Sequence, residues 1–194
     1  MKPEFQAKFL QYLNSREKSD KGFTLIELLV VIIIIGILAA IALPSLLGQA
    51  NKAKQSEARN NVGAVGRAQQ SFFLESQYFT KDLGALGIGI RTQTVNYYYT
   101  ITGDAGGTTP AVVNNWGAPQ KVALKAYVGQ SYSTFTDATG TEAVTQTFVC
   151  ESIKPGKAAA DFNTVVTAAA PTGGNTGCAN IGPVGGSGWK DLGT

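Results

Sequence analysis

The segment Lys21-Gly22-Phe23-Thr24-Leu25-Ile26-Glu27 sets a glycine, an aromatic ring and a lone carboxylate at the mouth of a long apolar run. From Leu28 to Leu43 that run holds no charged or polar side chain. A carboxylate beside such a run is costly wherever lipid or protein replaces water, so something must neutralise it. Two kinds of partner suit the residue types. The carboxylate could complement the positive end of its own helix, or it could meet a cation carried by a second chain.

Little else in the chain offers reactive chemistry. There is no histidine, which removes the commonest general base and the commonest metal ligand. No serine-centred elbow and no paired-carboxylate motif stands out, so no enzyme activity, metal or cofactor is expected. The stretch Gly103-Asp104-Ala105-Gly106-Gly107 lacks the lysine and the strand–helix context of a phosphate loop. Two cysteines, Cys150 and Cys178, lie late in the chain. If the domain is exported they form a disulfide, worth about 3.5 kcal/mol by loop closure. Lys121, Lys125, Lys154 and Lys157 are basic positions that could touch DNA, although solvated lysines are the plainer reading. Phe23, Phe72, Phe73, Tyr78 and Phe79 could suggest an aromatic conduit, but core packing explains the last four more simply.

Charge is concentrated at one end. The net charge of the 194 residues is +3, and residues 1–22 carry five basic and three acidic side chains. The remainder is nearly neutral, which argues against nucleic acid as the main partner.

The elements that must position Glu27 are written in the hydropathy pattern. Residues 1–22 are polar, of mixed charge and without a core-forming pattern. Phe23 to Leu43 is 21 residues, about 31 Å as a helix, which matches the hydrocarbon thickness of a bilayer. Three readings compete. The segment is a plain anchor, or a signal peptide cut near Ala40-Ile41-Ala42, or a helix retained after a cut behind Gly22. Gly36 and Pro44 weaken this helix; a kink near Pro44 is expected, and the segment between the two could locally unwind. Beyond it, Ala50, Ala53, Ala58, Val62, Val65, Ala68 and Phe72 recur at helical spacing, predicting an amphipathic helix over 45–75.

A loop over 76–94 comes next, broken by Gly84, Gly87 and Gly89. Strand-like runs then occupy about 95–152. They are Val95–Ile101, with its Tyr97-Tyr98-Tyr99 cluster, an alternating run from Lys121 to Val128, and Thr145–Ser152 with Phe148 and Cys150 on one face. The segment 153–194 is rich in glycine and would be loose unless Cys150–Cys178 pins it. The fold expected is α+β: a long N-terminal helix, apolar then amphipathic, packed on a small antiparallel sheet, with a disulfide-closed C-terminal segment.

The run Gly22-Phe23-Thr24-Leu25-Ile26-Glu27-Leu28-Leu29-Val30-Val31, continuing to Ala42-Leu43-Pro44, resembles the N-terminus of type IV pilins. The resemblance covers about the first fifty residues; the rest is similar only in layout. It implies a leader over 1–22 that a prepilin peptidase removes after Gly22, and methylation of the new amine on Phe23. It implies a transmembrane and assembly helix over 23–44, a globular head over 45–194, and Glu27 as the residue that directs assembly. Gly36 and Pro44 match the helix-weakening positions. The new amine and Glu27 would then be opposite charges on staggered copies, and a contact that does not close builds a filament. By resemblance the partners are copies of the chain, the prepilin peptidase, an assembly platform with its ATPases, an outer-membrane secretin, and inner-membrane lipid before assembly. The N-terminus would be cytoplasmic, the filament extracellular, and adhesion, motility and DNA uptake its uses. The rival readings are a pseudopilin of a type II secretion system and a membrane-anchored extracytoplasmic binding protein.

Overall fold

A single α-helix, α2, runs unbroken over Leu25–Ser76 with Pro44 inside it. No break separates Gly36 from Pro44 in this helix. Proline removes one backbone donor, and the helix-forming leucines and alanines on either side carry the ladder past that gap. The structure, a computed structural model, describes residues 3–16, 22–104, 111–135, 143–155, 178 and 188–192. It divides into two units, Met1–Gly48 and Gln49–Thr194.

The first unit holds the apolar half of α2 and a helix that no core-forming pattern announces, α1, at Pro3–Arg16. α1 opens with a proline, whose missing N–H costs nothing in a first turn, and with Glu4 beside the positive end of the helix.

The second unit is built on the rest of α2. Ala58, Val62, Val65, Gly66, Gln69 and Phe73 form its buried stripe. Ala50 and Ala53, expected on that stripe, are exposed, and Phe73 takes the inward place expected for Phe72. Phe72 instead stands edge-on to Tyr78, with ring centres 5.4 Å apart. Gln69 is buried by closing a two-way bond with the loop after the helix: its Nε2 donates to the Thr80 carbonyl (2.7 Å) and its Oε1 accepts from the Thr80 N–H (3.1 Å). That satisfies the amide and fixes the exit of the helix.

Five antiparallel strands form a meander in the order β1-β2-β3-β4-β5. They are Tyr97–Asp104, Val112–Pro119, Tyr127–Phe135, Ala143–Ser152 and Trp189–Asp191. The run from Lys121 to Val128 is not one strand. Residues 121–124 turn, with the Leu124 N–H donating to the Lys121 carbonyl, and Val122 is exposed. Asn114, Asn115, Gly117 and Pro119 disguise β2 in the sequence. Its asparagines are buried through cross-strand bonds, Gln130 Nε2 to Asn114 Oδ1 at 3.0 Å and Asn115 Nδ2 to Ser131 Oγ at 3.3 Å. β5 lies in the glycine-rich tail and pairs with the end of β4. Residues 156–177, 179–187 and 193–194 of that tail, Lys157 among them, lie outside the described residues.

Side-chain alternation gives the sheet two buried faces. One carries Tyr97, Tyr99, Ile101, Val113 and Tyr127 and packs with the stripe of α2. The other carries Trp116, Val128, Tyr132, Phe148, Cys150 and Trp189. Cys150 is joined to Cys178 across 28 residues, with Cα atoms 5.7 Å apart. The expected fold and its disulfide are therefore present.

The helix lies close to the sheet because small residues meet at the crossing. A Cβ on Gly129 would fall 2.9 Å from Val62 Cγ1, and one on Gly66 would fall 2.4 Å from Thr147 Oγ1. Asn61 Nδ2 donates to the Tyr99 hydroxyl at 3.0 Å, and Gln70 Nε2 donates to the Thr145 carbonyl at 3.3 Å. Gly129→Ala should therefore destabilise the second unit by about 1–3 kcal/mol through overpacking. Adding Val62→Ala should recover part of that loss, since the two changes act on one contact. Chemical denaturation of the two single variants and the double variant measures the coupling; additive losses refute the close contact.

Three phenols at this interface resist ionisation. Burial pushes Tyr97 well above the ordinary tyrosine range, and the neighbouring Tyr127, Tyr99, Glu151 and Glu57 add to it. Burial likewise raises Tyr127, helped by Glu151, whose carboxylate also pairs with Lys125. Tyr99 is raised by burial, offset in part by its bond from Asn61. A folded pKa above the unfolded one keeps its stabilising contribution below about pH 10 and loses it above, as the unfolded phenols release protons first. Denaturation midpoints should thus fall between about pH 9.5 and 11, with phenolate absorbance appearing only as the chain unfolds. Ionisation of these phenols in the folded protein at ordinary tyrosine pH contradicts their burial.

Candidate functional site

Glu27 sits in the first turn of α2 and closes a reciprocal cap with Thr24. The Thr24 N–H donates to Glu27 Oε2 at 2.9 Å, and the Thr24 hydroxyl donates to the same oxygen at 2.7 Å. In return the Glu27 N–H donates to Thr24 Oγ1 at 3.3 Å. Thr24 is the N-cap and Glu27 the third helical residue, so two of the orphan donors at the helix start are satisfied by a capping box. The Leu28 N–H then reaches the Thr24 carbonyl at 3.3 Å and begins the regular ladder. Of the two partners open to Glu27 in sequence, this single chain shows the local one.

Gly22 and Phe23 precede the helix outside any regular element, and both are exposed, Phe23 by 80%. Gly36 and Pro44 are exposed positions inside α2. The structure brings Thr24 and Glu27 together and leaves the other site candidates of this unit apart. Thr24 is a site residue that the sequence reading missed, although the Thr24-x-x-Glu27 spacing before an apolar run is the signature of a capping box.

The apolar surface C-terminal to the box gives the box its meaning. From Leu25 to Leu47 every leucine, isoleucine and valine is exposed, from 43% at Leu29 to 81% at Leu25. Within this chain almost nothing covers them; Ala39 alone in that stretch is half-buried. Contiguous apolar surface on this scale marks a site for lipid or for other protein. The helix is long and apolar enough to cross a membrane. Among the described residues no group of three or more His, Cys, Asp or Glu side chains could hold a metal ion. Lys125 is engaged by Glu151, while Lys121 and Lys154 are exposed.

Comparison with known proteins agrees with this geometry. The family described as type IV pilin-like G and H matches residues 55–179, more than half of the chain. The chain belongs to this type IV pilin-like family. A second family, the prokaryotic N-terminal methylation motif, matches residues 18–43 and so takes in the Gly22–Glu27 segment and the apolar run behind it. The pilin-like chain is 41% identical over 87 residues to the type IV major pilin protein PilA of Myxococcus xanthus, covering 45% of this chain and 39% of that protein. It is 32% identical over 103 residues to the type IV wide pilus major component PilA4 of Thermus thermophilus, covering 47% of this chain and 79% of the relative. It is also 39% identical over 70 residues to the type II secretion system core protein G of Klebsiella michiganensis, covering 36% and 49%. The chain spans about half the length of the first curated relatives it matches. No solved structure matches it.

The box sets a local expectation. Thr24→Val keeps the side chain's shape but removes the hydroxyl, so amide exchange at residues 24 and 27 should accelerate in detergent micelles while amides beyond the second turn keep their protection. Unchanged exchange at both positions refutes the cap.

Proposed function

We propose that the chain is the precursor of a structural subunit of a type IV pilus. The observation that carries this reading is the uncovered apolar surface from Leu25 to Leu47. Such a surface needs lipid while the subunit is stored and other helices of the same kind when it leaves the lipid. The work is then mechanical and involves no catalysis. Residues 1–22 are the leader, removed after Gly22 by a prepilin peptidase, and Phe23 becomes the methylated N-terminus. The precursor sits in the inner membrane with its N-terminus cytoplasmic. The helix over 23–44 is the assembly segment, and residues 45–194 form the part displayed outside the cell. An assembly platform, its ATPases and an outer-membrane secretin serve the filament, whose uses are adhesion and surface motility, with DNA uptake as a further use.

Assembly draws on the same carboxylate that caps the helix. Cleavage turns the Phe23 nitrogen from a neutral amide into a cation in an apolar setting. Both that cation and Glu27 are costly when they lack a partner away from water. The amine of one subunit meeting Glu27 of its neighbour relieves both, and staggered repetition of the contact propagates a filament.

One finding favours a second reading. The similarity to type II secretion system core protein G supports a pseudopilin, which would share the cleavage and the helix but form no long surface fibre.

Glu27→Ala tests the main reading. The variant should insert in the membrane at normal level, while pilus recovered by shearing drops to a small fraction of the parent's. Mass spectrometry of the sheared parent material should show a chain starting at methylated Phe23. Normal fibre yield from the variant removes the role of Glu27. Material starting elsewhere removes the cleavage site, and an absence of long fibres in the parent favours the pseudopilin.

A further inference from the structure

We infer that α1 is a membrane-interface helix, whose apolar face in the uncut chain lies on the cytoplasmic surface of the bilayer that α2 crosses. The inference rests on the reading that the first half of α2 spans that bilayer.

α1 is a 14-residue helix, Pro3–Arg16, and its Phe9 and Leu10 are 62% and 67% exposed. Large apolar side chains presented on a short helix with no core beneath them need a cover. The sequence register makes the face wider. Tyr12, 59% exposed, stands three positions beyond Phe9, and a 3.6-residue repeat gathers these two on one side. Glu4, Lys8 and Gln11 fall on the polar arc. The helix is too short and too polar to span a bilayer, but apolar and polar arcs of this kind suit the boundary between headgroups and acyl chains.

Two further facts select lipid as the occupant. The first is connectivity. Only eight residues, 17–24, separate α1 from α2. Fully extended they reach about 29 Å, so once α2 is in the membrane α1 stays within that distance of the surface. The effective concentration of interface seen by α1 is then high, and a modest intrinsic affinity suffices. The second is charge. Residues 1–22 carry five basic and three acidic side chains. Lys8 stands at the edge of the polar arc nearest Tyr12, where a cation is drawn to anionic headgroups.

The consequence bears on processing. With α1 on the surface and α2 in the core, the Gly22–Phe23 bond lies on a short tether held at both ends by the membrane. A peptidase working at that surface meets the bond already presented, with less chain entropy to remove. Cutting then detaches α1 and leaves α2 held by its own apolar surface alone.

The test uses the full-length uncut chain in vesicles of phosphatidylethanolamine and phosphatidylglycerol. Single nitroxide labels are placed through Phe9→Cys, Lys8→Cys, Gln11→Cys and Ile33→Cys, with the Cys150–Cys178 disulfide kept oxidised. Collisions with oxygen report lipid, and collisions with a water-soluble nickel chelate report solvent. The expected result is oxygen contact at 9 and 33 and nickel contact at 8 and 11. Nickel contact at 9 equal to that at 8 and 11, with 33 still in lipid, overturns this inference alone. A label at 9 shielded from both reagents overturns lipid in favour of a protein contact. Nickel contact at 33 overturns the spanning helix, and this inference with it. In cells, Phe9→Glu with Leu10→Glu should lower the fraction of chain cut after Gly22, and Phe9→Leu should leave it unchanged; normal cutting of the double variant overturns the presenting role.

Discussion

The uncovered apolar surface of α2 is the constraint on which the other features depend. Some sixteen leucine, isoleucine and valine side chains between Leu25 and Leu47 face outward. Water cannot be their resting environment, since each such group would retain the full cost of apolar hydration. The described residues of the chain supply no cover. Its partners must therefore be lipid or other copies, and the two differ in a useful way. Against lipid the helix gains little from any particular neighbour, because acyl chains are as apolar as leucine. Against other helices it gains packing and direction. Small residues at Gly36, Ala39, Ala40 and Ala42 let another backbone approach such a helix closely.

The second unit solves a different problem, that of holding an amphipathic half-helix firmly on a sheet. The solution is proximity. Gly117 and Gly129 on adjacent strands make room for Val62, and Gly66 of α2 makes room for Thr147. The seam is then tied by polar bonds from Asn61 and Gln70, and closed at the helix exit by Gln69 and Thr80. The opposite face of the sheet has a core of its own, in which Trp116 meets Trp189 with ring centres 5.9 Å apart and Cys150 tethers Cys178. Burying both faces gives a small sheet far more apolar contact than a half-exposed sheet would have.

Sequence periodicity is legible wherever one physical requirement dominates. The stripe through Ala58, Val62 and Val65 and the pairing of Phe148 with Cys150 on one face each answer to burial alone, and each is found. Periodicity fails where a polar or small residue is buried for a geometric reason. Asn114 and Asn115 carry no strand signal and lie in β2, where cross-strand bonds hold Asn114 Oδ1 and Asn115 Nδ2. Gln69 is polar and yet buried, because Thr80 supplies both its partners. Lys121 to Val128 alternates in sequence, yet Leu124 and Ala126 enter different cores, since the chain turns between them. β5 hides among glycines because its strand character comes from the end of β4 beside it, and α1 escapes notice because a short surface helix needs no core pattern.

The capping box bears on how one carboxylate can serve both storage and assembly. A buried or lipid-facing ion must have a partner at every stage, since the penalty for losing one exceeds what the pair itself gains. In the single chain that partner is Thr24, with both of its donors converging on Oε2 and Oε1 taking no part in the box. A second donor can therefore be added at Oε1 before the first is lost. On the proposed assembly mechanism, the arriving amine of a neighbour need not break the cap to find the carboxylate, and the barrier to exchange is lowered accordingly. An acidic residue at the same point of the helix but without a hydroxyl three positions earlier would keep the backbone donor and lose the second, hydroxyl donor. Thr24 thus gives Glu27 its hydrogen-bond donors within the single chain, and Glu27 in turn completes the cap that Thr24 begins.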